Sequence, residues 1–110
     1  MKIAVPMAGG SVASHFGHCE RFALYEVQDG EVRNSAQLTP PPHEPGAFPQ
    51  WLKQQGVDVV ISGGMGRRAQ SLFSQQGIEV ILGLSGSDPA QLVSRYLEGN
   101  LSSGANPCDH

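Results

Sequence analysis

Residues 59–69 read VVISGGMGRRA: an apolar, largely β-branched run, three glycines within four positions, and two arginines that open a helical pattern. This order predicts a buried strand, a tight turn with exposed backbone amides and the N-terminus of a helix. Unpaired N–H groups, the helix dipole and the guanidinium groups all favour negative charge at that point. The stretch therefore predicts a strand–turn–helix unit that holds an anion.

The sequence on either side predicts further strands and helices. Strands are expected at residues 3–5, 22–27, 31–38, 58–61 and 78–82, with a type I′ hairpin turn at Asp29-Gly30 and the first strand ending at Pro6. Helices are expected after the proline-rich residues 39–46, after Gly66 and after the N-cap Asp88. The prediction is an α/β fold of order β-β-β-α-β-α-β-α, with a mixed five-stranded sheet between three helices.

The composition limits both the size and the class of the protein. The chain has 110 residues, enough for one domain at residues 1–101, and residues 102–110 are expected to form a mobile tail. A net charge of −3 argues against nucleic-acid binding, and no apolar run could span a membrane. With no export signal, we expect a cytoplasmic protein in which Cys19 and Cys108 are free thiols.

The predicted sheet places two loops side by side. The loops after Val5 and after Ile61 both leave the carboxyl ends of strands, where ligands of open α/β sheets bind. Residues 7–18 should therefore lie beside residues 63–68. Met7 and Met65 should flank the resulting cleft.

Two segments carry groups that bind transition metals. His15, His18 and Cys19 fall within five positions, and Cys108 and His110 end the chain. Their spacing matches none of the usual zinc patterns. The alternative to a metal site is that His15–Cys19 is a polar loop with one hydrogen-bonded histidine and a small buried cysteine, and that Cys108 and His110 belong to a disordered tail.

A nucleotide or another phosphate is an alternative ligand for the glycine turn. Residues 64–69 fit the dinucleotide pattern G-x-G-x-x-[GA], but residues 82–87 lack the carboxylate that would bind a ribose. This alternative describes a small regulatory domain and gives the His15–Cys19 segment no role. No carboxylates converge on the predicted cleft, so we do not expect an enzyme.

Several motifs occur in an order and spacing that resemble one family. They are HFG at 15–17, FALYEVQDG at 22–30, HEPGAFP at 43–49, GVDVVISGGMGRRA at 56–69, GIEV at 77–80, YLEGNL at 96–101 and CDH at 108–110. The chain resembles the dinitrogenase iron–molybdenum cofactor biosynthesis family. The resemblance implies a ribonuclease H-like fold and the binding, carriage or assembly of a molybdenum-containing metal–sulfur cluster, with iron or copper, without catalytic turnover. It also implies proteins that donate and accept the cluster.

The same resemblance suggests which residues contact the cluster. The resemblance implies that His15 of the His-Phe-Gly motif contacts the cluster, with Phe16 and Gly17 beside it. The turn would contribute its backbone amides and cations, through Gly63, Gly64, Met65, Gly66, Arg67 and Arg68. His18, Cys19 and Arg67 depart from the common pattern of the family, so the resemblance itself supports only His15 as a ligand. From the chemistry of their side chains, the candidate metal ligands are His15, His18, Cys19, Cys108 and His110.

Overall fold

The computed structural model describes residues 1–13, 19–40, 47–82 and 88–99. In chain order the elements are β1 (Lys2–Ala8), β2 (Ser11–Val12), β3 (Arg21–Gln28), β4 (Glu31–Leu38), α1 (Ala47–Gln54), β5 (Val59–Ile61), α2 (Arg67–Gln75), β6 (Glu79–Ile81) and α3 (Pro89–Leu97). The predicted tail, residues 102–110, lies outside the described residues.

One mixed sheet organises the molecule, with strands in the order β4-β3-β1-β5-β6 and β2 paired to β1. β1 is antiparallel to β3 and parallel to β5, which is parallel to β6. The sequence predicts that residues 3–5 form an interior strand and that the chain has three helices, and both predictions are confirmed. The expected five strands are wrong, because β2 makes the sheet six-stranded.

The sixth strand arises from a second hairpin. Gly9 and Gly10 have φ angles of 60° and 84°, so β1 turns back tightly into β2. The predicted Asp29-Gly30 turn has the same character, with φ angles of 55° and 76°. The glycine pair was expected to lie in a loop because the two-residue strand that follows it has no alternating pattern.

Pro6 does not end the first strand, contrary to the expectation. The carbonyl of Met7 accepts from the Glu20 N–H at 2.7 Å, whereas the carbonyl of Pro6 accepts from the Ala13 N–H at 2.8 Å on the opposite side. Because N and O of one strand residue point the same way, the donor that proline lacks would face away from β3. Pairing with β3 therefore continues to Met7.

Helices cover both faces of the sheet. Leu92 and Val93 of α3 pack on one face, in the cluster that contains Ile3 and Val5. Side chains of α1 and α2 pack on the other face, with Phe48, Leu52 and Phe73 buried in the cluster that contains Ala4, Phe22 and Val60. Each fully buried side chain of this size contributes about 1.5–3 kcal/mol. These two cores fix the ends of the strands from which the loops emerge.

No helix among residues 1–13, 19–40, 47–82 and 88–99 is long and apolar enough to cross a membrane.

Candidate functional site

The three parallel strands end at the same edge of the sheet. Ala4 pairs with Val60, and Ile61 pairs with Ile81, so β5 and β6 end level with each other, while β1 continues beyond them to Ala8. We call this the carboxyl edge. The turn at residues 62–66 leaves the end of β5, next to β1 in the sheet. The predicted juxtaposition of residues 7–18 with residues 63–68 includes residues 14–18, which lie outside the described residues.

The turn after β5 is held from inside the protein. Ser62 is fully buried, and its N–H donates to the Ile81 carbonyl at 2.9 Å, which extends the pairing of β5 with β6. Its hydroxyl donates to the Gly64 carbonyl at 3.2 Å. A buried carbonyl without a donor would cost about 1–3 kcal/mol, so this bond stabilises the turn.

Gly66 occupies the N-cap position of α2 without a capping side chain. Its φ and ψ angles of −64° and 156° suit any residue. A Cβ built there would meet no atom within 4 Å, so packing does not require glycine either. Serine, aspartate and asparagine at this position would cap the helix through their side chains, whereas glycine supplies no side-chain acceptor to the amides of the first turn. An anion could approach the backbone closely at this point.

The charges of the described residues are distributed unevenly between the two edges of the sheet. Arg67 and Arg68 are exposed in the first turn of α2, and Arg21 stands opposite Met7 at the carboxyl edge, with Glu20 and Asp88 the nearby acids. The opposite edge carries most of the acidic side chains: Glu26, Asp29, Glu31, Asp58, Glu79 and Glu98. This distribution favours approach of an anion to the carboxyl edge.

The segment 14–18 includes His15, Phe16, Gly17 and His18, which lie outside the described residues. Its flanks are described, and both contact β1. Ala13 donates to the Pro6 carbonyl on one side, and Glu20 donates to the Met7 carbonyl on the other. The described residues on either side of the segment, Ala13 and Glu20, are therefore both held against the carboxyl-terminal part of β1.

Cys19 is the one predicted metal ligand that the structure describes. The side chain is half-buried against the core cluster beneath α1 and α2 and is a free thiol. Burial raises the pKa of the thiol to about 11. Cys108 and His110 lie outside the described residues. Within the described part of the chain, no three His, Cys, Asp or Glu side chains are grouped to hold a metal ion.

The two methionines do not face a common cleft. Met7 packs on the α3 side of the sheet, whereas Met65 is fully buried among the side chains on the α1 and α2 side. The expectation that both thioethers flank the site is wrong, because both side chains are buried in the hydrophobic core, on opposite faces of the sheet. Met65 remains part of the turn through its backbone.

Sequence reasoning missed three polar side chains that hold this edge together: Ser62, Gln70 and Glu20. Ser62 follows the apolar strand and precedes a double glycine, a position where a small hydroxyl can close a turn. Gln70 lies one helical turn after Gly66, within reach of the loop carbonyls. Of the three, only Ser62 could have been predicted from the sequence to hold the turn.

Comparison with known proteins adds relatives that share this architecture. A family model described as dinitrogenase iron-molybdenum cofactor matches residues 1–99. An uncharacterized protein of Methanocaldococcus jannaschii is 32% identical over 106 residues, which cover 92% of this chain and 89% of that protein.

Two solved structures superpose over nearly the whole chain. The crystal structure of PH0822 has a TM-score of 0.85 at 28% identity and covers 94% of each chain. The apo form of the orange protein from Desulfovibrio gigas has a TM-score of 0.77 at 25% identity, and the match covers 96% of this chain and 94% of that one.

Proposed function

The chain belongs to the dinitrogenase iron–molybdenum cofactor family, as its motifs predict, and from this premise we propose that it binds and carries a molybdenum-containing metal–sulfur cluster at the carboxyl edge. The cluster is cargo, received from one protein and passed to another. The mixed sheet with helices on both faces is compatible with the ribonuclease H-like fold that the family resemblance implies.

The observation that carries this proposal is the glycine at the N-cap of α2, Gly66, which supplies no capping side chain. Neither the backbone conformation nor the packing requires glycine there, and a capping side chain would occupy the helix amides. Thiomolybdate-type clusters are anions of charge two or more. Backbone dipoles and the exposed guanidinium of Arg68 can balance that charge without forming a bond to the metal.

A site of this kind suits a carrier. Dipoles and exposed cations hold an anion reversibly, because none of these contacts requires a covalent bond to form or break. We infer that His15 contacts the cluster directly, with Phe16 and Gly17 beside it. His18, Cys19, Cys108 and His110 are further candidate ligands. Iron or copper would complete the cluster.

The alternative ligand, a nucleotide or another phosphate at Gly63–Gly66, gains no support from the family or from the orange protein. The family model is described by a cofactor and not by a reaction, which supports binding of a cargo. We therefore propose a carrier and not an enzyme.

Reconstitution tests the proposal directly. Tetrathiomolybdate, with or without Cu(I), is added anaerobically to the cluster-free protein, and amide chemical shifts, metal content and visible absorption are recorded. The signals of residues 15–17 and of Gly63 to Arg68 should shift together. Inorganic phosphate at the same concentration serves as the control anion, and it should leave these signals nearly unchanged.

Two results would contradict the proposal. One is a set of shifts confined to another face of the molecule. The other is stronger binding of phosphate than of tetrathiomolybdate. A His15→Ala variant that takes up cluster with full colour and affinity would remove His15 from the contact set.

A further inference from the structure

Gln70 contacts two consecutive carbonyl groups of the turn. Its side-chain Nε2 donates to the Met65 carbonyl at 3.0 Å. Its backbone N–H donates to the Gly66 carbonyl at 3.1 Å, as the first hydrogen bond of α2. One residue in the first turn of α2 thereby fixes two neighbouring peptide planes, Met65–Gly66 and Gly66–Arg67.

The orientation of these planes follows from peptide geometry. The described peptide bonds are all trans, and a trans peptide directs its carbonyl and its N–H to opposite sides. Because the Met65 carbonyl points along α2 toward Gln70, the Gly66 N–H points away from the helix. No described residue accepts a hydrogen bond from that N–H. It joins the N–H groups that any helix N-terminus directs outward.

We propose that Gln70 is a positioning residue, which aims the Gly66 N–H at the anionic cluster. The inference rests on the proposed function. A helix N-terminus alone offers the amides of its first turn, and the Gln70 side chain adds the amide of the residue before that turn. A Cβ built at Gly66 would meet no atom within 4 Å, so the described residues leave space on the side-chain side of this donor.

Ser62 performs a related task for the preceding carbonyl but offers a poorer test. Its hydroxyl and the Gly64 carbonyl are both buried, so removing the hydroxyl would leave a buried acceptor without a partner and would destabilise the fold. Gln70 is half-buried and its bond to the Met65 carbonyl is only partly buried, so losing this bond should cost less folding stability than losing the fully buried Ser62 bond. A change at Gln70 therefore separates orientation from folding.

The test compares Gln70→Met with Gln75→Met, an exposed position near the end of the same helix. Methionine keeps the length and helix propensity of glutamine but cannot donate a hydrogen bond. Residual dipolar couplings of the Gly66 amide are measured in the cluster-free proteins. Dissociation constants for tetrathiomolybdate are measured at several salt concentrations.

Gln70→Met should change the Gly66 coupling and weaken tetrathiomolybdate binding about tenfold or more, the effect of losing one hydrogen bond to a charged group. The salt dependence of binding should stay that of the parent protein, because no charge is altered. Gln75→Met should change neither the coupling nor the affinity.

The outcomes separate this inference from the proposed function. If the parent protein binds tetrathiomolybdate and Gln70→Met keeps either its affinity or its Gly66 coupling, the role of Gln70 is refuted while the carrier function stands. If the parent protein does not bind tetrathiomolybdate at all, both fail.

Discussion

The carboxylate of Glu20 accepts a hydrogen bond from the N–H of Gly9 at 2.5 Å. The backbone N–H of Glu20 also donates to the Met7 carbonyl. A single residue thus fastens the end of β1 and the turn that follows it, at the point where the chain returns from residues 14–18.

Replacing Glu20 with alanine should lower the free energy of unfolding by about 1 kcal/mol, because the exposed Gly9 amide loses a charged acceptor. Urea unfolding measures this change. Glu20→Gln is the matched control, since its side-chain oxygen can still accept the bond, and it should lose less. Equal losses in both variants would show that the carboxylate charge, and not the bond, matters.

Gly66→Asp should separate stability from binding. An aspartate at the N-cap accepts from the helix amides and places negative charge at the N-terminus of α2, so stability should stay equal or rise by up to about 1 kcal/mol. Tetrathiomolybdate binding should weaken at least tenfold, because the carboxylate occupies the helix amides and its negative charge repels the anion. Titration calorimetry and thermal unfolding give the two quantities.

The control for this variant is Gly66→Ala, which adds a methyl group to the same open space without charge or capping ability. Its binding should fall between those of the parent and of Gly66→Asp. Undiminished binding by Gly66→Asp would exclude the N-terminus of α2 from the site.

Arg68→Glu should weaken cluster retention and leave folding nearly unchanged, because the side chain is exposed. High salt should mimic part of this loss in the parent protein through screening. Arg95→Glu, an exposed change of the same charge on α3, should retain the cluster. If affinity is the same in low salt, in high salt and in Arg68→Glu, this arginine has no electrostatic part in binding.

Truncation before Ser102 tests the Cys108–His110 end of the chain. If Cys108 and His110 ligate metal, the truncated protein should bind less metal per chain after reconstitution. Metal analysis with the full-length protein alongside gives the comparison. An unchanged stoichiometry would make the tail a passive segment.

Both tyrosines should ionise above the ordinary phenol pKa of about 10. Burial, and then the charge of Asp88, raises the pKa of Tyr25. Burial raises the pKa of Tyr96 as well, and Glu79 adds its charge and a hydrogen bond accepted from the phenol at 3.2 Å. A raised pKa in the folded state means stability that is complete below pH about 10 and is lost as the pH rises further.

Spectrophotometric titration of the phenols measures this shift. Asp88→Asn should lower the midpoint of Tyr25, and Glu79→Gln should lower that of Tyr96. A midpoint near 10 for either tyrosine in the parent protein would contradict the prediction for that residue.

Local patterns predicted most of the sheet and all three helices. The type I′ hairpin at Asp29-Gly30 and the Asp88 N-cap, which accepts from the Ala90 N–H at 2.9 Å, depend on contacts between near neighbours. The errors arose where contacts between residues distant in sequence determine the local structure. Pro6 continues its strand because its missing N–H faces away from β3. The bonds from Ala13 to the Pro6 carbonyl and from Glu20 to the Met7 carbonyl show this orientation, which only the assembled sheet reveals.

The same distinction applies to the site. The turn after β5 was evident from its glycines and arginines, whose chemistry is local. Met65 was placed at the cleft wrongly, since whether a side chain at a turn points into the core depends on the helices packed behind it. Gln70 could not be recognised because its bond to Met65 requires the actual path of the turn.

The parallel pairing of β1 with β5 has a consequence for the order of folding. The β3–β4 hairpin joins neighbouring segments, whereas Lys2 meets Asp58 across 56 residues of sequence. Closing so long a loop costs more entropy than closing a hairpin, so we expect the parallel half of the sheet to form late. The carboxyl edge would then be complete only in the finished fold, and the cluster would be accepted by mature chains alone.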